Sequence, residues 1–77
     1  MLSSTKVDIL KLLRKKPSYG FELGKKLNIT ISSIYNHLKY LSDKGFVRIT
    51  EVKSASERYK KVYEITEKGI ALLDLIT

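Results

Sequence analysis

At 77 residues the chain has room for one small domain and no second one, and 15 Lys and Arg against 8 Asp and Glu leave it a formal charge of +7. It has no cysteine and a single histidine, His37, which excludes a disulfide framework and a zinc site built from thiolates and imidazoles; neither metal nor cofactor is expected. No apolar run nears the roughly 20 residues a membrane helix needs, no secretory leader pattern opens the chain, and no nucleophile, base and acid are spaced for catalysis; a cytoplasmic protein that is not an enzyme is expected. A hydrophobic content of 43% is enough to build a core, so the chain should fold. So dense a positive field favours a polyanion as partner.

The first helix is predicted over about residues 4–15, with Ser3 to Thr5 as candidate caps. At 100° per residue, Ile9, Leu10, Leu12 and Leu13 share one face and Asp8, Lys11 and Arg14 the other, with Val7 out of place. A second, shorter helix is predicted over about 19–27, capped by Ser18 and turning Phe21, Leu23 and Leu27 inward. Asn28 tolerates the left-handed conformation that closes a helix, and Thr30 can cap the next one, so Leu27 to Thr30 reads as the tight turn of a helix-turn-helix. The third helix is predicted over about 31–44, stopped by Gly45, with Ile31, Ile34, Leu38 and Leu41 as its core stripe.

Beyond Gly45 the period becomes extended. Residues 46–52 are rich in β-branched side chains, 53–58 read as a polar loop, and 59–65 as a return strand, giving a hairpin over about 46–65 with a basic tip. Thr66 can cap a last helix over 67–76, apolar nearly all round and therefore in need of cover on more than one side.

Helix, helix, turn, helix and basic hairpin, in that order, make an α+β winged helix-turn-helix, in which the third helix enters the DNA major groove and the hairpin lies along the backbone. Away from the third helix's apolar stripe stand Ser32, Tyr35, Asn36, Lys39 and Tyr40, with Thr30 at its start and Ser33 at the margin. These residue types donate and accept at base edges and phosphates, and no acid joins them before Asp43. On the hairpin, Lys53, Ser54, Arg58 and Lys60 are the candidate backbone contacts. His37, Phe21 and Tyr63 read as packing residues, and the run of bases from Lys11 to Lys16 as a solvated helix end.

Four segments also resemble the PadR-like winged-helix regulators: Tyr19-Gly20-Phe21-Glu22-Leu23; Ser33-Ile34-Tyr35 with Leu38 and Leu41; Gly45-Phe46-Val47; and Arg58-Tyr59 through Val62-Tyr63-Glu64-Ile65-Thr66-Glu67-Lys68-Gly69. The resemblance implies a dimeric repressor or regulator, as a homodimer on a palindromic site in double-stranded DNA, with Ser32, Ser33, Tyr35 and Asn36 in the groove and Lys53, Arg58 and Lys60 on the wing; a protein with that role is expected to be nucleoid-associated. Regulators of that family usually continue into a longer C-terminal helical region. On so short a chain the dimer is expected to use the last helix, helped by the first, and no small-molecule effector is expected. The rival readings from the residues are an architectural, sequence-neutral DNA coat and a winged-helix protein-interaction module.

Overall fold

The computed structural model describes residues 3–55 and 58–77, with side chains for 3–50 and 61–77. The elements run α1 (Ser4–Lys15), β1 (Ser18–Tyr19), α2 (Gly20–Leu27), α3 (Ile31–Asp43), β2 (Val47–Ala55), β3 (Arg58–Ile65) and α4 (Glu67–Ile76). This is an α+β fold of four helices on a three-stranded antiparallel sheet of order β1-β3-β2.

Local chemistry accounts for most of the boundaries. Ser3 caps α1 by accepting from the Lys6 N–H at 3.3 Å, and Thr30 caps α3 by accepting from the Ser33 N–H at 3.2 Å. Two helices close in the same way. At the end of α2, Asn28 takes φ 57° while its N–H reaches the Lys25 carbonyl and that of Ile29 the Gly24 carbonyl. At the end of α3, Gly45 takes φ 81° while its N–H reaches Ser42 and that of Phe46 reaches Leu41. Each pair of bonds satisfies carbonyls that the helix would otherwise leave open, and each needs a residue that tolerates positive φ.

The core is Ile9, Leu10 and Leu13 of α1, Leu23 of α2, Ile34, Leu38 and Leu41 of α3, Val47 and Tyr63 of the sheet, and Leu73 of α4. Val7 and Leu12 pack on its edge. Two expectations about burial fail at that edge. Ile31, assigned to the core stripe, is 59% exposed, because it is the first residue of α3 and has no turn before it to lean against. Phe21, expected inward, is 37% exposed and stacks on Tyr19, with ring centroids 5.8 Å apart, since the start of α2 lies at the rim of the fold. Along α4 only Gly69 and Leu73 are buried; Leu75 is 83% exposed.

Ser18 does not cap α2. It is half of β1, buried and opposite Tyr63, while Tyr19 opposes Val62. Two paired residues are too short a run for any alternation to reveal. The helix begins after Tyr19, whose N–H donates to the Glu22 carboxylate at 3.2 Å. The polar loop expected over 53–58 is shorter as well: Lys53, Ser54 and Ala55 oppose Lys60, Tyr59 and Arg58, so the ladder of the hairpin runs on through a polar stretch. Backbone pairing needs no apolar side chains, which is why the composition gave no sign of it. Between Ile49, opposite Tyr63, and Glu51, opposite Val62, the register shifts by one residue at Thr50, whose hydroxyl donates to the Val62 carbonyl at 3.3 Å.

Candidate nucleic-acid interface

The outer face of α3 is set by the stripe that faces inward. With Ile34, Leu38 and Leu41 fully buried, a rotation of 100° per residue turns Ser32, Asn36 and Lys39 outward, with Tyr35 on one flank and Ser33 on the other. All five are exposed, and Thr30 stands exposed at the helix start. The helix N-terminus, the end that reads bases in helix-turn-helix proteins, thus carries Thr30, Ser32, Ser33 and Asn36 together.

Tyr40 parts from this group. It lies on the flank toward α1, half-buried against the core, with the Lys6 ammonium 4.9 Å and the Lys44 ammonium 5.7 Å from its ring centroid. His37 shares that flank: partial burial and the neighbouring Lys6 charge both push its pKa below the ordinary value, so it is neutral near pH 7.

Tyr35 joins the helix to its surroundings. Its ring covers Gly20 at the start of α2 and lies 6.4 Å from that of buried Tyr63 in β3, tilted by 55°. Burial, and then the neighbouring Tyr35, raise the pKa of Tyr63, so its hydroxyl stays protonated across the physiological range. One residue of α3 therefore touches both α2 and β3.

A cleft of about 410 Å³ separates α3 from the sheet. Leu38, Ile49 and Tyr63 line it together with Lys39 and Asp43 from α3 and Lys61 from β3. Lys61 is absent from the sequence-derived site, although its place two residues before Tyr63 on a strand puts both on one face, and that alternation was the available signal. The other wing candidates, Lys53, Ser54, Arg58 and Lys60, lie outside the residues whose side chains are described. Among the described residues no group of His, Cys, Asp or Glu could hold a metal, and no helix is long and apolar enough to cross a membrane.

The sequence profile of the transcriptional regulator PadR-like family matches residues 9–74, most of the chain. The chain belongs to the PadR-like family of transcriptional regulators. That family is one of regulators rather than of enzymes. An HTH-type transcriptional regulator of Methanocaldococcus jannaschii is 39% identical over 90% of this chain and 67% of its own length. The phenylalanine–tRNA ligase alpha subunit of Sulfolobus acidocaldarius is 37% identical over 90% of this chain, which spans 14% of that subunit. In structure, the chain is similar to Bacillus subtilis PadR in complex with operator DNA, with a TM-score of 0.86 and 28% identity over 96% of this chain and 46% of that one. A transcriptional regulator of Thermoplasma acidophilum superposes with a TM-score of 0.84 and 32% identity, over 92% of this chain and 72% of that one. Against the curated relatives the chain thus ranges from a seventh to two thirds of their length.

Proposed function

We propose that this PadR-like chain is a sequence-specific regulator that binds double-stranded DNA, a repressor acting as a homodimer, with α3 in the major groove and the wing on the backbone. The observation that carries the reading is the exposed, polar outer face of α3, flanked by lysines on helix and wing, in a fold shared with a PadR bound to operator DNA. Lysines of α2 and the wing supply salt-dependent backbone affinity, and Ser32, Ser33, Tyr35 and Asn36 supply base contacts. The reading places the protein in the cytoplasm, on the nucleoid.

The dimer is the part supported by α4. Leu72 and Ile76 of α4, with Val7 of α1, Tyr40 and Phe46, line a groove of about 580 Å³, and Leu75 beside them is exposed. A second copy laid against α4 and α1 would cover this surface, which is the cover that an apolar last helix requires. Two copies on one face of the duplex would read half-sites about 34 to 36 Å apart.

A second reading has its own observation, the similarity to a phenylalanine–tRNA ligase subunit: the same basic surface would then engage structured RNA as one module of a larger protein. Fluorescence-anisotropy titration against random duplex DNA and against a folded RNA, followed by selection and sequencing of bound DNA, separates the two. Enrichment of an inverted repeat supports the dimeric regulator. Binding to DNA with no enriched sequence makes the protein an architectural coat, tighter binding to RNA favours the second reading, and binding to neither leaves a protein-interaction module.

A further inference from the structure

Asp43 offends two local preferences at once. It lies in the last turn of α3, where the negative end of the helix dipole disfavours a carboxylate, and no basic residue occupies that turn. It is also the one acid in the sequence of α3, on the same outer line as Ser32, Asn36 and Lys39. A residue that breaks local rules on a functional face invites a functional explanation.

The geometry around it supplies one. The carboxylate of Asp43 stands 3.8 Å from the ammonium of Lys39, one turn earlier, with both side chains well exposed. Lys39 and Asp43 line the helix–wing cleft with Lys61, which comes from a different element. Two lysines from different elements line one cleft with Leu38, Ile49 and Tyr63, and two cations at one cleft make a place for a compact anion.

We propose that the cleft between α3 and the wing is a subsite for a single backbone phosphate, held between Lys39 and Lys61, and that Asp43 attenuates this subsite by competing for Lys39. The inference rests on the nucleic-acid-binding reading above. A phosphate entering the cleft has to draw Lys39 away from Asp43 and then sit beside a carboxylate, so the pair of lysines holds it less tightly than two unopposed cations would. On a chain with a formal charge of +7, the attenuation limits the sequence-independent part of the affinity and leaves more of the binding to the base contacts of α3. Lys61 and Asp43 thereby become partners in DNA binding alongside Lys39.

The test is anisotropy titration of a labelled random-sequence duplex at several salt concentrations, with Lys61→Gln, Lys39→Gln, Asp43→Asn and the Lys39→Gln, Asp43→Asn double variant. Thermal melts confirm that each is folded, as expected for substitutions at exposed positions. Loss of Lys61 should flatten the dependence of log K on log salt by about 0.9, the effect of one phosphate contact. Asp43→Asn should tighten binding about threefold, the scale of an exposed ion pair, with a steeper salt dependence, and that gain should largely disappear when Lys39 is already Gln. The sequence selected from a random pool should stay the same. Unchanged or weaker binding by Asp43→Asn, an equal gain in both backgrounds, or an altered selected sequence would each overturn the attenuation. Failure of the unmodified protein to bind any DNA or RNA at low salt would overturn the nucleic-acid reading itself, and the subsite with it.

Discussion

Gly20 lies so close beneath the Tyr35 ring that a Cβ built on it would fall 2.8 Å from both Cε1 and Cζ. The start of α2 and the outer face of α3 thus meet through a glycine that has no room to grow. Gly20→Ala should displace Tyr35, and because the obstacle is the outer end of a half-exposed side chain, the cost in stability should stay near or below about 1 kcal/mol. DNA binding should suffer more than stability, since the displaced ring belongs to the face proposed to contact bases. Urea denaturation beside an anisotropy titration would check this; a large loss of stability with intact DNA binding would contradict it.

At Gly69 the same substitution meets backbone. A Cβ there would run into the Phe46 carbonyl, which also accepts the Thr66 N–H at 3.0 Å, and into Ile65 Cγ1 at 2.6 Å. Thr66 completes the junction, accepting from the Gly69 N–H and donating to the Gly45 carbonyl at 2.6 Å. Gly69→Ala should therefore destabilise the fold by about 2 to 3 kcal/mol, in the range of overpacked cores. Thermal unfolding of the two glycine variants side by side should rank Gly69→Ala far below Gly20→Ala.

Asn36 is exposed on the outer face of α3, and the proposed function gives it a base contact rather than a packing role. Asn36→Ala should leave stability unchanged and cut the preference for the selected site over random DNA by about 1 to 3 kcal/mol. Competition titrations with both duplexes measure the ratio directly. A uniform loss on both would assign Asn36 to the backbone instead.

Leu75 and Leu73 are two residues apart on α4, the one 83% exposed and the other buried. Leu75→Asp should dissociate the proposed dimer and leave the folded chain intact. Leu73→Ala should cost about 2 to 5 kcal/mol of stability as a core truncation. Sedimentation equilibrium and thermal unfolding of both variants should show opposite patterns.

His37 sets a pH dependence. Its pKa in the folded chain is held below the ordinary 6.5, first by burial and then by Lys6, so on acidification the unfolded chain binds the proton first. The stabilisation from keeping His37 neutral is complete above pH 6.5 and is lost as pH falls through the lowered value. Denaturant midpoints between pH 8 and 5 should fall in the unmodified protein and flatten in His37→Gln.

Most of the fold is written in features with a local mechanism. The capping hydroxyls of Ser3, Thr30 and Thr66, the left-handed Asn28, the stop at Gly45 and the stripe Ile34, Leu38, Leu41 each act within a turn or two of chain, so their spacing carries the information. What escaped depends on partners distant in sequence. β1 exists only because Ser18 and Tyr19 find β3. Phe21 and Tyr40 obey the residue types of their helices, yet their exposure is decided by how α2 meets the rim and how α1 crosses α3. At the candidate site, period and polarity identify the outer face of α3, whereas bringing Lys61 to the same cleft as Lys39 requires the hairpin to be folded back beside the helix.

The shifted register at Thr50 means that β2 spends one residue more than β3 between the pairs Ile49–Tyr63 and Glu51–Val62. A surplus residue on one strand bends that strand and raises its local twist while the pairs on either side of it stay matched. Deleting Thr50 would leave Ile49 opposite Tyr63 and Glu51 opposite Val62 and straighten the hairpin between them. The angle at which the outer ladder leaves the body of the fold is thus set by the count of residues in one strand, whatever their chemistry.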